Sequence, residues 1–91
     1  MNTFRLVITT PEGLQFDGQA QSLSVRAVDG DLCVMAGHIP MVTALKKGEC
    51  SVVDENGKRY AECSAGLLSV QKKETRLLST DFWWRENIHE R

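Results

Sequence analysis

The chain has 91 residues, of which 42% are hydrophobic and 25% are charged, so its length and composition are those of one small globular domain. Its net charge at pH 7 is −1 and its basic residues are spread along the chain, which argues against nucleic-acid binding because that function needs a basic stripe. The longest apolar run, residues 32–36, is far shorter than the roughly 20 residues of a membrane span, and the N-terminus does not resemble a signal peptide.

Short β-strand patterns, separated by turn residues, recur along nearly the whole chain. In chain order they cover residues 4–10, 14–16, 23–27, 32–36, 41–45, 50–53, 59–63, 67–70 and 75–78. The first is the clearest, since Phe4, Leu6 and Ile8 alternate onto one face. Asn56-Gly57 is the strongest hairpin signal, because both residues tolerate positive φ. A spacing of roughly 8–12 residues between strands predicts an all-β sandwich or a small barrel.

The end of the chain has a different pattern. Ser79-Thr80-Asp81 contains typical helix-capping residues, and Trp84 and Ile88 lie four residues apart, so we predict a helix from Phe82 to Arg91. A helix of this length is marginal in isolation and has to dock or fray. We therefore divide the chain into a β domain at residues 1–81 and a short helical or frayed tail at residues 82–91.

The three cysteines do not have the spacing of a reactive or metal-binding set. Cys33, Cys50 and Cys63 are separated by 17 and 13 residues and lie within strand patterns. We therefore predict free thiols in a reducing compartment and no metal site. The chain also lacks a glycine-rich phosphate loop, so we expect no cofactor and no small-molecule substrate.

Two alternative functions can be built from the remaining residues. His38 and Asp31 are the components of an acid–base pair in a small hydrolase, although no nucleophile stands in a recognisable elbow. Trp83 and Trp84 are a possible contact of a free-standing binding module, but adjacent tryptophans more often anchor a tail, and we expect at least one to pack on the sandwich. The residues alone favour a binding or structural module over an enzyme.

Five segments resemble, in order, the epsilon subunit of bacterial and chloroplast F-type ATP synthases. Asp-Gly-Asp-Leu-Cys-Val-Met-Ala-Gly-His-Ile-Pro at residues 29–40 is similar to the family's acidic-Gly-acidic-x-Gly-aliphatic-x-Pro-Gly-His-x-Pro segment. The other similar segments are residues 4–13 followed by 16–18, residues 43–48, residues 60–70 and residues 75–81, so the resemblance covers roughly residues 3–81.

The chain departs from the family pattern at three positions in these segments, and again at its end. Cys33, Ala36 and Ala65 stand where the family usually has glycine, proline and glycine. The family's C-terminal helical hairpin is not expected within 91 residues, and residues 88–91 do not match the family's nucleotide-linked Ile-Asp-x-x-Arg-Ala pattern. The resemblance therefore implies no ATP site.

The resemblance implies a ten-stranded sandwich of two antiparallel sheets that acts as a non-catalytic rotor subunit. Such a subunit joins the gamma subunit to the c-ring at the cytoplasmic face of the bacterial cell membrane, rather than at the thylakoid, without spanning the membrane. The implied c-ring contacts are Asp29, Gly30 and Asp31. The implied gamma contacts are Thr10, His38, Ile39, Pro40, Met41 and Thr43.

Overall fold

Short alternating segments between glycine turns form ten strands in the computed structural model, which describes residues 2–85. The strands are β1 Phe4–Thr10, β2 Gly13–Ala20, β3 Ser22–Ala27, β4 Gly30–Met35, β5 Met41–Leu45, β6 Gly48–Asp54, β7 Gly57–Cys63, β8 Gly66–Val70, β9 Glu74–Ser79 and β10 Phe82–Trp84. The prediction of an all-β fold with ten strands is confirmed. Within the described range there is no helix, and hence none that could span a membrane.

The strands follow one hydrogen-bonded path with a corner in it. The order is β10-β7-β6-β3-β5-β8-β9-β1-β2, and β4 pairs with β3 off this path. β3 and β5 share a single residue pair, Ala27 with Leu45. The path therefore divides there into two five-stranded layers: the β3 layer contains β4, β3, β6, β7 and β10, and the β8 layer contains β5, β8, β9, β1 and β2.

One pairing departs from the two antiparallel sheets that were predicted. β1 and β9 pair in parallel, with Leu6 beside Thr75 and Ile8 beside Leu77. A hairpin forces neighbouring strands to be antiparallel, but β1 and β9 are joined only through the rest of the domain, so no turn dictates their direction.

The core lies between the layers and receives the inward residues of nearly every strand. Its largest fully buried apolar side chains are Leu6, Ile8, Leu23, Leu45, Leu68, Leu77, Val34 and Val52. Phe4, Phe16 and Met41 are half-buried and pack against this cluster. Because strand side chains alternate between faces, burying one face leaves the other available for partners.

The predicted helix does not begin at Phe82, because residues 82–84 form β10 and pair with β7. The residues interpreted as a helix cap make tertiary hydrogen bonds instead. The amide of Asp81 donates to the hydroxyl of Ser64 at 2.9 Å, and the amide of Ser64 donates to the carbonyl oxygen of Asp81 at 3.1 Å. The rest of the predicted tail, residues 86–91, lies outside the described residues, and the domain division at residue 81 stays a prediction.

Strand register places the loops at two opposite ends of the sandwich. Leu45, the last residue of β5, pairs with Ala27, the last residue of β3, and with Gly66, the first residue of β8. Gly66 in turn pairs with Ser79, the last residue of β9, and Leu78 pairs with Thr9 near the end of β1. The turns after β1, β3, β5, β7 and β9 therefore share one end, which we call the Asp29 end. The turns after β2, β4, β6 and β8 share the other, which we call the His38 end.

Candidate interaction surfaces

The predicted acidic contact forms a tight exposed turn at the Asp29 end. Gly30 has a φ of 129°, a conformation that glycine adopts without steric cost, and it lets β4 start directly after Asp29. The amide of Val28 donates to the carbonyl oxygen of Ala44 at 3.0 Å, which fixes the turn to β5. Asp29, Gly30 and Asp31 are all exposed, and neither carboxylate forms a salt bridge within residues 2–85. The structure thus brings these three predicted residues together.

His38, Ile39 and Pro40 form the β4–β5 loop at the opposite end. The amide of His38 donates to the carbonyl oxygen of Met35 at 3.1 Å, and its Nδ1–H donates to the carbonyl oxygen of Ile39 at 2.8 Å. The side chain of Ile39 is 73% exposed. The loop therefore has an ordered backbone and presents an apolar side chain to solvent.

β5 presents its residues to two different sides. Thr43 pairs directly with the fully buried Leu68, and Met41 packs against the core, so both predicted contacts are half-buried and lie on the inward face. Val42, which is 65% exposed, and Ala44 lie on the outward face. The role of Met41 and Thr43 in binding gamma stays a prediction. Val42 and Ala44, which face outward, were not among the predicted contacts.

Thr10 lies apart from the predicted gamma contacts of the β4–β5 loop. Thr10 is the last residue of β1 and lies at the Asp29 end. Phe4, the first residue of the same strand, lines a cleft beside the loop that contains His38. Six residue steps at about 3.3 Å each separate the two ends of this strand by roughly 20 Å. Thr10 instead lines an apolar groove of ≈ 410 Å³ beside Pro11, Leu67 and Leu78.

A row of outward side chains crosses the whole β8 layer, one residue from the strand termini at the Asp29 end. Register aligns Ala44, Leu67, Leu78, Thr9 and Leu14, one from each strand, and we call this set the outward row. Its three leucines are 41%, 44% and 61% exposed in that order. The sequence indicates this row through the pairs Leu67-Leu68 and Leu77-Leu78. Adjacent strand residues face opposite sides of a sheet, so one leucine of each pair has to point outward.

A second cleft, of ≈ 300 Å³, opens at the His38 end, and we call it the His38 cleft. The β4–β5 loop forms one side of it, and Gly37 in that loop has a φ of 87°. Phe4, Met35 and Val70 give it apolar walls, and Lys72 lies on its lining. The cleft is continuous with exposed Ile39 and so belongs to the same end as the predicted contact loop.

Seven charged side chains elsewhere in the described residues form two clusters of ion pairs. Hydrogen bonds of 3.1 Å from Arg5 hold the pKa of Asp17 below its usual value, and Arg5 also lies 3.3 Å from Glu74. Arg85 contacts Glu49 at 2.6 Å and also pairs with Glu62, a neighbour of Glu49 across β6 and β7. These pairs are exposed and contribute modestly to stability.

The two C-terminal tryptophans differ in environment. Trp84 is half-buried and makes edge contacts with Phe82 and Phe16 at centroid distances of 5.0 and 6.0 Å, and Arg59 lies 3.7 Å above its ring. Trp83 is 49% exposed on the other face of β10. The expectation that at least one tryptophan packs on the sandwich is confirmed.

The residues of the proposed hydrolase are not brought together. Asp31 begins β4 at the Asp29 end, and His38 follows β4 at the other end, so the strand separates them. The cysteines are free, and hydrogen bonding to Cys63 together with burial raises the pKa of the Cys50 thiol. Among residues 2–85, no cluster of three or more His, Cys, Asp or Glu side chains could hold a metal ion.

A family model described as "ATP synthase, Delta/Epsilon chain, beta-sandwich domain" matches residues 3–85. The ATP synthase epsilon chain of Alkaliphilus oremlandii is 34% identical over 87 residues, covering 96% of this chain and 65% of the relative. That of Clostridium perfringens is 34% identical over 91 residues, covering 99% and 68%. The "ATP synthase epsilon chain, sodium ion specific" of Propionigenium modestum is 35% identical over 81 residues, covering 89% and 59%. The chain thus spans about two thirds of the length of these relatives.

Two solved assemblies contain chains of similar fold. A chain of the Euglena gracilis mitochondrial ATP synthase, from a structure of OSCP, F1 and c-ring, superimposes with a TM-score of 0.84 at 21% identity, covering 90% of this chain and 53% of that one. A chain of the Tetrahymena thermophila mitochondrial ATP synthase central stalk and c-ring has a TM-score of 0.75 at 11% identity, covering 90% and 66%. At these identities the similarity supports the sandwich fold.

Proposed function

Because this chain belongs to the family of ATP synthase delta/epsilon chains, we propose that it is a non-catalytic subunit of the central rotor stalk of an F-type ATP synthase. It joins the gamma subunit to the membrane ring of c subunits, so that ion flow through the membrane is coupled to ATP synthesis on other subunits. Its place is the cytoplasmic face of the bacterial cell membrane.

The observation that carries this proposal is the outward row. Leucines of three strands stand exposed in register on one face, next to the groove that Thr10 lines. A contiguous exposed apolar surface on a small domain is typical of a protein interface. We assign this face of the β8 layer to gamma, with Leu67 and Leu78 at its centre.

The acidic turn supplies the second contact. Asp29 and Asp31 are exposed and unpaired within the described residues, so their carboxylates are free to meet basic or amide groups of the c-ring loops. Exposed pairs of this kind contribute roughly 0.2–1 kcal/mol each. The turn is hydrogen-bonded to β5, which lies in the layer assigned to gamma, so the two contacts belong to one stiff scaffold.

Co-purification with gamma tests the assignment. We expect the chain to retain gamma, and Leu67→Ser with Leu78→Ser to weaken the complex by about tenfold or more, because each removes a buried apolar contact of the interface. Tyr60→Ser is the matched control, since Tyr60 is also 41% exposed but lies on the outer face of the β3 layer. Failure of the unchanged chain to bind gamma would favour a free-standing binding module.

A further inference from the structure

A polar depression lies on the outer face of the β3 layer. β3 pairs with β6 only from Ser22 to Ser24, because beyond that point β3 turns toward β5. The two strands separate there and leave an opening of ≈ 310 Å³, which we call the Cys33 trough. The lining residues that belong to the outward face by strand alternation are Ser24, Arg26, Asp31, Cys33, Glu49 and Ser51.

Cys33 is the exposed thiol of this chain, since Cys50 and Cys63 are buried. It stands where the resembling family usually has glycine, so the thiol is a feature of this chain and not of the family pattern. Ser24 pairs with Cys33 on one side and with Ser51 on the other, so two strand spacings, roughly 10 Å, separate the backbones of Cys33 and Ser51. Because only the short side chain of Ser24 stands between them, a ligand attached to Cys33 can lie across β3 and reach Ser51.

Ser51 places a buried hydroxyl in the trough. Its neighbours Cys50 and Val52 face the core, so alternation directs the side chain of Ser51 outward into the lining. Ser51 is 7% exposed, and its hydroxyl forms no hydrogen bond among residues 2–85. Buried hydroxyl groups are normally paired, because leaving one without a partner costs free energy. The hydroxyl is therefore available to a polar group of a ligand.

Charged side chains of both signs line the trough. Arg26 leans over Gly48, where a Cβ atom would lie 2.5 Å from the Cδ of Arg26, so the missing side chain of Gly48 makes room for the arginine. Arg26 and Asp31 form no salt bridge within the described residues, whereas Glu49 is paired with Arg85. A ligand that carries a carboxylate and an ammonium group thus meets a partner for each, Arg26 for the first and Asp31 for the second.

We propose that Cys33 is a site of reversible thiolation, where the trough holds a zwitterionic peptide thiol as a mixed disulfide. This inference goes beyond the proposed function and does not depend on it. The bound thiol lies across Ser24, with a carboxylate on Arg26 and a polar group hydrogen-bonded to the hydroxyl of Ser51.

The adduct forms by thiol–disulfide exchange with the disulfide form of the ligand. The thiolate of Cys33 attacks one sulfur of that disulfide, so a new S–S bond forms to Cys33 while the original S–S bond breaks. The other half of the ligand leaves as a thiolate and takes up the proton that Cys33 has lost. The disulfide is itself the oxidant, and excess thiol reverses the reaction.

Glutathione disulfide is a suitable probe, because glutathione is a peptide thiol with two carboxylates and one ammonium group. Mass spectrometry of the full chain after incubation should show one adduct, on Cys33, while Cys50 and Cys63 stay free because they are 2% and 3% exposed. Dithiothreitol should remove the adduct, and Cys33→Ser should not form it. Bis(2-hydroxyethyl) disulfide, which has no charged group, is the control reagent for simple exposure of the thiol.

Variants of the trough separate a built site from an exposed thiol. Arg26→Gln should slow the reaction with glutathione disulfide about fivefold and Ser51→Ala about threefold, since each removes one polar contact of the ligand. Both should react with the uncharged disulfide within twofold of the unchanged chain. Arg76→Gln, which removes a positive charge on β9 outside the trough, should leave both rates within twofold.

Unchanged melting temperatures show that the variants are folded, and the rates then decide. If Arg26→Gln and Ser51→Ala react with glutathione disulfide as fast as the unchanged chain, the trough does not hold the ligand. Equal slowing of both reagents would show a change in thiol exposure and also overturn the proposal. So would equal slowing by Arg26→Gln and Arg76→Gln, which would show general attraction by positive charge. Labelling of Cys50 or Cys63 as fast as Cys33 would contradict a site specific to Cys33.

Discussion

Gly66 shows how closely two strands of the β8 layer approach. A Cβ atom at this position would lie 1.9 Å from the carbonyl oxygen of Leu78 and 2.9 Å from the Cα of Ser79, both backbone atoms that cannot rotate away. We expect Gly66→Ala to lower the free energy of unfolding by about 3 kcal/mol, because β8 and β9 have to separate. Urea denaturation followed by circular dichroism measures this.

Gly18→Ala is the matched control, since a Cβ atom there would meet the ring of Phe16 at 3.5 Å, an ordinary contact. We expect its unfolding free energy to change by less than about 1 kcal/mol. Equal denaturation midpoints for the two variants would show that the strands can relax around Gly66 without cost.

Single residues of the contact surfaces could be predicted where a local rule fixes the backbone. The acidic turn is such a case, because Gly30 requires a positive φ and the flanking carboxylates then lie together. The sequence could not indicate in the same way that Val42 faces outward and Thr43 inward, since the strand pattern of β5 does not reveal which side packs on the core. The cross-strand partner Leu68 decides that, and it lies 25 residues further along the chain.

The β10 strand shows the limit of local sequence rules for whole elements. Ser79-Thr80-Asp81 has the composition of a helix cap, and nothing nearby in sequence contradicts it. The contacts that decide the outcome come from Ser64 and from β7, to which the sequence gives no short-range link. Most of the other strands, in contrast, have alternation strong enough to be predicted nearly in place, although β2 continues through Asp17-Gly18 to Ala20, beyond the predicted residues 14–16. The parallel partnership of β1 and β9 is set by the whole fold.

Trp84 anchors β10, and its removal tests that anchoring. Because this half-buried indole packs on Phe82 and Phe16, we expect Trp84→Ala to lower the free energy of unfolding by about 2 kcal/mol, less than for a fully buried indole. Trp83→Ala, which changes the exposed neighbour, should cost less than about 1 kcal/mol. Thermal unfolding compares them.

Tryptophan fluorescence of the same two variants gives an independent readout. The spectrum of Trp83→Ala reports Trp84 and should be shifted to the blue with weak iodide quenching, whereas the spectrum of Trp84→Ala reports the exposed Trp83. If both rings emitted like free indole and were quenched equally, β10 would not be held by Trp84.

The molecule as a whole presents a different surface to each of its two proposed partners. The acidic turn lies at the Asp29 end of the β3 layer, the outward row crosses the outer face of the β8 layer close to the same end, and the cleft lies at the His38 end. β5, β8 and β9 pair along their lengths, and β3 joins them through the pair Ala27 and Leu45, so load applied at one region is carried to the others. A rotor adapter needs this stiffness because torque has to pass without shear between its contacts.

Reversing the charge of Asp31 should affect one partner and not the other, because Asp31 belongs to the acidic turn and not to the outward row. We expect Asp31→Lys to reduce ion-driven ATP synthesis in reconstituted vesicles roughly two- to fivefold at low salt, because its carboxylate is replaced by a repelling ammonium group. The loss should shrink as salt rises. Stability should change by less than about 0.5 kcal/mol, since the side chain is exposed, and gamma binding should be unchanged.

Glu55→Lys provides the same charge reversal at an exposed turn of the His38 end, and it should leave coupling intact. The comparison is needed because a loss of net negative charge at any position could alter assembly. A contact made by the acidic turn, in contrast, is disturbed only when the charge of that turn is changed. If Asp31→Lys and Glu55→Lys supported synthesis equally well at low salt with full assembly, Asp31 would not contact the ring. A defect in Asp31→Lys that persists unchanged at high salt would likewise point to a steric cause instead of a charge contact.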